Sequence, residues 1–410
     1  MGAPEVVFKD GWYEEEDDGF YRFRWMRSRA SLVLPPRPRE GRFLWLHIFS
    51  EYVNHSQVLS LALGGRRVAE LPLLQQWSPY SVDLGPSVEP VEPSQGQEFI
   101  LELNKVFPRK YHPDDDRELG VRVGPMSFHG DAAGHERFLL FLDNARRNFR
   151  EMKERRTVLS SHPLTLGIDL YGKCNISPPC VYCLWDKMKD MEGGQTDLVV
   201  DDRTLEGYGP FFTSSRNLIN CSFGEPLLHP RLAEILELCE REGKFVELST
   251  NGQAFTPRTI GALVGKAVKL YVSLDAATAE TYAKIRNDRW DGIVPNLERL
   301  NRERKKANGF PKIFMVFMPM KVNRDDLEEY FRLCRRIEAD ALVLRPLIYI
   351  HKPKIRKDRG GYHFDYKNEY LSDEEFRDIA ARAEEYSRRY GVVVVSQTSF
   401  GTTAPPSGGG

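Results

Sequence analysis

Cys174, Cys180 and Cys183 stand in the run Asp169-Leu-Tyr-Gly-Lys-Cys-Asn-Ile-Ser-Pro-Pro-Cys-Val-Tyr-Cys183, a C-x5-C-x2-C spacing. The thiolate is the metal-binding form of cysteine, so three in one short loop point to metal chemistry. Zinc as a rule takes four ligands. No fourth cysteine lies close, and the nearest histidine upstream is His162, so zinc would need a distant ligand. Three thiolates can instead hold three irons of a cubane cluster and leave the fourth open for chemistry. On the loop alone both readings stand.

Further polar residues gather where strands should end. The run Leu218 to Phe223 leads into Gly224-Glu225-Pro226-Leu-Leu-His-Pro230. The glycine permits close backbone approach, and Glu225 supplies a carboxylate suited to an ammonium group. The next run ends in Ser249-Thr250-Asn251-Gly252, and the one after in Ser273-Leu-Asp275-Ala-Ala-Thr278, followed by Lys284-Ile-Arg286. Ser, Asn and Arg at successive strand ends can bind hydroxyl and carboxylate groups. A zwitterionic amino acid carrying a ribose would use this set.

Together and in this order, these pieces resemble the radical S-adenosylmethionine (radical SAM) superfamily over roughly residues 160–350. The resemblance implies one 4Fe–4S cluster on Cys174, Cys180 and Cys183, with S-adenosylmethionine chelating the open iron. It implies that Tyr182 lies near the adenine and that Glu225 takes the methionine ammonium, with Gly224 letting it approach. Ser273 and Arg286 would hold the carboxylate or ribose, with Asn251 nearby. One electron, from a donor such as flavodoxin or ferredoxin, would lead to a 5′-deoxyadenosyl radical that abstracts a hydrogen from substrate. The cofactor carries that chemistry, and the protein positions it and excludes water. Two features depart from the family pattern. The usual C-x3-C is C-x5-C here, with Pro178-Pro179 stiffening the insertion, and Phe223 replaces the first glycine of Gly-Gly-Glu. The Ser273 to Arg286 stretch resembles a peptide-modifying branch that carries auxiliary clusters on a cysteine-rich C-terminal extension. No cysteine follows Cys334, so a single cluster is expected and the peptide analogy is weakened.

The elements that must position these residues alternate. Strands are expected at Leu166–Leu170, Leu218–Phe223, Phe245–Ser249, Val268–Leu274, Lys312–Met318 and Ala341–Leu347, with Val392–Val395 as a possible edge. Helices are expected near Pro230–Glu242, Pro257–Val264, from Thr278, Asp325–Ile337 and Ser372–Arg389. Such alternation argues for a parallel sheet, and six units fit a partial (β/α)6, TIM-like barrel, whose chemistry gathers at the C-terminal strand ends. Residues 161–398 are assigned to it. Residues 1–136 contain short strand-like runs with Pro- and Gly-containing turns, suggesting a β-sandwich accessory domain. Residues 137–160 look like a helical linker, and 399–410 a disordered tail.

Composition excludes some classes. Lys and Arg number 58 against 59 Asp and Glu, so nothing favours nucleic acid as a partner. The basic clusters Arg302–Lys306 and Lys352–Arg359 suit a solvated helix face or loop. Six cysteines, three of them clustered, suit a reducing cytoplasm rather than a disulfide framework. The N-terminus lacks the pattern of a signal peptide, and no apolar run is long enough for a membrane span. Cys239 and Cys334 suit core packing, and Cys221 is either a core residue or a hydrogen-atom donor. His229 suits capping or packing. Tyr349, His351, Tyr362 and His363 belong to a loop that could line the substrate side. The Trp- and Tyr-bearing N-terminal runs Gly11–Glu16 and Phe23–Met26 are similar to a module found beside glycan-assembly enzymes, although such rings are commonly buried. The favoured substrate is therefore a small molecule, sugar or glycan intermediate undergoing epimerisation or dehydrogenation. A peptide-modifying radical enzyme and a non-catalytic metal-binding scaffold are the alternatives.

Overall fold

The computed structural model describes residues 6–38, 40–51, 57–85, 97–108, 115–184, 199–220, 224–347, 355–359 and 361–396. Cys221, Tyr349, His351 and the tail from 399 lie outside the described residues. The chain divides into two units: Met1–Asp17, Tyr21–Thr165 and Tyr208–Arg216 in the first, Asp18–Phe20, Leu166–Gly207 and Asn217–Gly410 in the second.

Among the described residues the first unit holds ten strands: β1 (Val7–Phe8), β2 (Trp12–Asp17), β3 (Arg22–Met26), β4 (Arg29–Leu34), β5 (Phe43–Phe49), β6 (Val58–Leu63), β7 (Arg66–Pro72), β8 (Ser78–Asp83), β9 (Gln97–Leu103) and β10 (Val121–His129). They form two five-stranded antiparallel sheets, β1-β4-β9-β6-β7 and β2-β3-β10-β5-β8. Period-two alternation sets which face is buried: Ala30, Leu32 and Leu34 on β4, and Leu44, Leu46 and Ile48 on β5. These residues, from both sheets, belong to one apolar cluster. Helix α1 (Ala132–Lys153) adds Phe138, Phe141, Leu142 and Ala145 to the same cluster. The segment expected as a linker therefore carries part of this core. Its apolar residues recur at helical spacing and are buried against the sheets, a pattern that its many charges obscure.

The rings considered for sugar stacking are engaged within the unit. Trp25 and Phe23 are buried, and the Arg122 guanidinium lies over both. The Trp12 indole N–H donates to the Ser31 carbonyl at 2.7 Å. Tyr13 lies beneath Arg27 and Arg117.

After α1 the chain continues with β11 (Thr165–Ile168), α2 (Asp202–Ser214), whose residues from Tyr208 on count with the first unit, β12 (Asn217–Asn220), α3 (Leu232–Arg241), β13 (Phe245–Thr250), α4 (Pro257–Leu263), β14 (Val268–Ser273), α5 (Ala279–Ile285), α6 (Ile293–Lys306), β15 (Lys312–Phe317), α7 (Leu327–Arg336), β16 (Ala341–Leu344), β17 (Arg356–Arg359), β18 (Tyr362–Asp365), α8 (Asp373–Tyr390) and β19 (Val394–Ser396). Among the described residues seven strands form one sheet in the order β11-β12-β13-β14-β15-β16-β19, with parallel pairing from β12 onward. Sequential parallel strands joined by helices form an open, TIM-like partial barrel. β15 and β16 are buried on both faces, from Ile313 to Phe317 and from Ala341 to Leu344, and so appear as continuous apolar runs.

Local signals place the helices. Thr256 with Thr259, and Ser372 with Glu375, form capping boxes, and Gly391 closes α8 at φ 65°. Cys239 and Cys334 are buried, as packing required. His229 is buried too; its Nδ1 accepts from the Arg231 N–H at 3.1 Å, and its Nε2 lies 3.0 Å from the Val200 carbonyl. Arg304 departs from the solvated face expected of Arg302–Lys306. It is 4% exposed, forms an ion pair with Asp340, and donates to the carbonyls of Pro311 and Glu338. None of the described helices is long and apolar enough to cross a membrane.

Candidate functional site

The cysteine loop leaves the C-terminal end of β11 and is pinned to the end of β12 by backbone. The Glu225 N–H donates to the Lys173 carbonyl at 2.8 Å. The crossing is so close that a Cβ on Gly224 would stand 1.9 Å from the Tyr171 carbonyl oxygen. Gly224 thus has a reason internal to the fold: only glycine lets the two strand ends meet.

Glu225 is buried and wired to the next strand end. Its Oε1 accepts from the Thr250 hydroxyl at 2.8 Å and from the Leu227 N–H at 3.1 Å; its Oε2 accepts from the Asn251 N–H at 2.8 Å. Asn251 in turn donates through Nδ2 to the Asn175 side chain at 2.8 Å and to the Cys174 sulfur at 3.6 Å. A carboxylate has about four lone-pair sites, so three bonds leave Glu225 with capacity for one more donor. Burial pushes its pKa up to about 7 against the pull of these bonds, which is the state an adjacent ammonium would reverse.

The other end of the loop is built differently. Arg286, at the C-terminus of α5, is buried. It donates to the Asp275 carboxylate and the Tyr182 hydroxyl, each at 2.6 Å, to the Leu274 carbonyl at 3.1 Å, and to the Cys180 sulfur at 3.7 Å. Tyr182 closes the triangle by donating to Asp275 at 2.6 Å. Asp275 sits at φ 59° in the left-handed region, which Asp tolerates better than most residues. It also accepts from the Met318 N–H at 3.1 Å. Four of the five guanidinium N–H groups of Arg286 are used by these contacts.

The structure thus joins Cys174, Glu225 and Asn251 in one network, and Cys180, Tyr182 and Arg286 in another. Ser273 ends β14 in register with Val316 and enters neither network among the described residues. Thr250 and Asp275 were not among the expected site residues. Both stood in the strand-end runs, but their roles depend on which turn each strand end adopts. One sheet face also carries Glu247 paired with Lys269, and Ser249 paired with Tyr271. Arg345, after β16, lies 5.5 Å from the Tyr271 ring.

Among the described residues no three His, Cys, Asp or Glu side chains converge to ligate a single ion. A zinc site needs that convergence; a cubane does not, because each thiolate meets its own iron. The three cysteines are near enough for the charges of Cys174 and Cys183 to act on Cys180. Burial pushes the Cys180 thiol up to about 11, against the pull of Arg286, and raises Cys174 as well. Such thiols become thiolates when a metal supplies compensating charge. The N–H donors at two of the sulfurs complete a donor set that fits an iron–sulfur cluster.

Residues 168–334 match the model of the Radical SAM superfamily. That stretch is a Radical SAM domain. Its cofactors are accordingly a 4Fe–4S cluster and S-adenosylmethionine, and the residues just described fit them. Among curated relatives, the mycofactocin maturase MftC of Mycobacterium tuberculosis is 28% identical over 189 residues, covering 45% of this chain and 44% of the relative. The AdoMet-dependent heme synthase of Methanosarcina barkeri is 28% identical over 187 residues, covering 45% of this chain and 50% of the relative. The chain therefore spans half or less of these relatives. Among solved structures, SuiB of Streptococcus suis bound to S-adenosylmethionine is 16% identical, covers 63% of this chain and 56% of that chain, and has a TM-score of 0.46.

Proposed function

We propose that this radical SAM protein cleaves S-adenosylmethionine reductively and abstracts a hydrogen atom from a peptide. The first part is carried by one observation: the cysteine loop lies against Glu225 and Asn251 at one end and Arg286 at the other. When bound, the reduced cluster and S-adenosylmethionine supply a 5′-deoxyadenosyl radical. The chain's own residues orient and shield. Glu225 offers its remaining acceptor site to the methionine ammonium, in a buried place where that charge is little screened. Asn251 ties this carboxylate to the Cys174 end of the loop. Arg286, held by Asp275, keeps one N–H for the carboxylate or ribose, with Tyr182 alongside near the adenine and Ser273 at the adjacent strand end. The first unit is read as a β-sandwich accessory domain, supported by its two sheets sharing one core. A reduced flavodoxin or ferredoxin in a reducing, cytoplasmic setting suits the electron requirement.

The substrate departs from the carbohydrate expected from sequence. The maturase relative supports a peptide, and neither relative described above is named for a sugar. The N-terminal aromatic rings that motivated a glycan are engaged in packing. The polar sheet face of Glu247, Ser249, Lys269 and Tyr271 offers groups that could bind a peptide backbone. The test is deuterium transfer into 5′-deoxyadenosine from labelled candidates. Transfer from a peptide, with none from free sugars, is expected; transfer from a sugar alone would overturn the peptide assignment.

A further inference from the structure

The basic stretch around Lys357 and Arg359 was expected to be solvated, yet it reaches the cysteine loop. The Arg359 guanidinium donates to the Pro179 carbonyl at 2.8 Å and the Pro178 carbonyl at 3.3 Å, and also to the Arg286 carbonyl. Lys357 donates through Nζ to the Cys180 carbonyl at 3.0 Å. Both residues lie on β17, which pairs with β18 in a hairpin held further by Arg356 and Asp365 at 2.9 Å. The hairpin is anchored under the loop: Ile355, Phe364 and Tyr366 share an apolar cluster with Val181 and Ile285.

The loop's insertion explains why such donors are required. Two prolines add two carbonyls and no N–H. A loop in that region has no ladder to satisfy those acceptors, so donors must come from elsewhere. We propose that Arg359 and Lys357 are positioning residues that complete the lengthened C-x5-C loop. The hairpin fixes the Cys180 end through its carbonyls and, with Arg286, surrounds that end with positive charge. Cations near a cluster favour its more negative, reduced form, so they also raise its reduction potential. This second effect rests on the cluster assignment above; the first does not.

The two effects are therefore read separately. In cofactor-free protein, residue-resolved alkylation of Cys180 is measured beside Cys334, which is fully buried in α7. Arg359→Ala should speed Cys180 alkylation roughly tenfold, the equivalent of one lost charge-assisted hydrogen bond, with Cys334 still protected. In reconstituted protein the same variant should shift the cluster's reduction potential downward and alter its EPR signal. Arg359→Lys, which keeps the charge, should restore the potential. Unchanged Cys180 alkylation in Arg359→Ala overturns the positioning role. A normal potential and EPR signal with a full cluster overturns the electrostatic one. Should Cys334 react as well, the variant has lost its fold, and Lys357→Met decides: faster Cys180 alkylation with Cys334 protected supports the proposal, and no change overturns it.

Discussion

The two ends of the cysteine loop are held by opposite chemistry. At the Cys174 end the partners are an amide, a hydroxyl and a buried carboxylate: Asn251, Thr250 and Glu225. At the Cys180 end they are cations, Arg286, Lys357 and Arg359, with Asp275 opposing the first. The Cys174 end keeps an acceptor site beside a carboxyl that burial drives toward neutrality, and so invites a cation. The Cys180 end is nearly saturated and secures the loop. One end leaves its free capacity for a cationic ligand group, and the other spends most of its donors on holding the frame still, with one N–H of Arg286 left over.

The contrast predicts unequal costs. Asp275→Ala should have the largest effect, because it leaves Arg286 buried without its partner. Denaturant unfolding should show a loss of about 3–5 kcal/mol. Gly224→Ala should follow, since its new methyl meets backbone and not a flexible side chain. About 1–3 kcal/mol of overpacking is expected, with iron content falling as the loop shifts. Glu225→Gln should cost less than Asp275→Ala, about 1–3 kcal/mol, because its amide NH2 replaces an accepting oxygen and leaves one buried backbone N–H unpaired, yet weaken S-adenosylmethionine binding roughly tenfold by calorimetry. If it destabilised the protein as much as Asp275→Ala, the two ends would not differ in kind.

The pH dependence should have opposite signs at two buried glutamates. Glu225, raised to about 7, holds its proton longer when folded. Its contribution falls as pH rises from about 4.5 to 7, because the folded state binds more protons there. Glu151, covered but shallow in the first unit, accepts four hydrogen bonds from the backbone and hydroxyls of Ser160 and Ser161. They hold it down at about 2, so its contribution is present above about pH 4.5 and lost as pH falls toward 2. Unfolding of cofactor-free protein across pH, with Glu225→Gln and Glu151→Gln, should remove each slope separately.

β15 and β16 were legible because their apolar runs are nearly uninterrupted, the other parallel strands because apolar runs alternate with helical stretches, and the cysteine loop because of its spacing. What escaped was set by tertiary placement. Helix α6 was hidden by its charges, although Ile293, Val294, Leu297 and Leu300 are buried. The β17–β18 hairpin was hidden in a basic stretch whose partners lie about 180 residues earlier. Asp275 stood in plain view, but its role follows from a left-handed backbone angle that composition does not reveal. Gly224 was expected to admit the methionine ammonium; in the fold it also admits the Tyr171 carbonyl, a neighbour that the sequence does not reveal.

The central claim is tested most directly by anaerobic reconstitution with iron and sulfide, followed by dithionite and S-adenosylmethionine. A 4Fe–4S cluster that depends on Cys174, Cys180 and Cys183, together with formation of 5′-deoxyadenosine, is the predicted result. Protein that binds one zinc and no iron, or a full cluster that never cleaves S-adenosylmethionine with any candidate substrate, would contradict it.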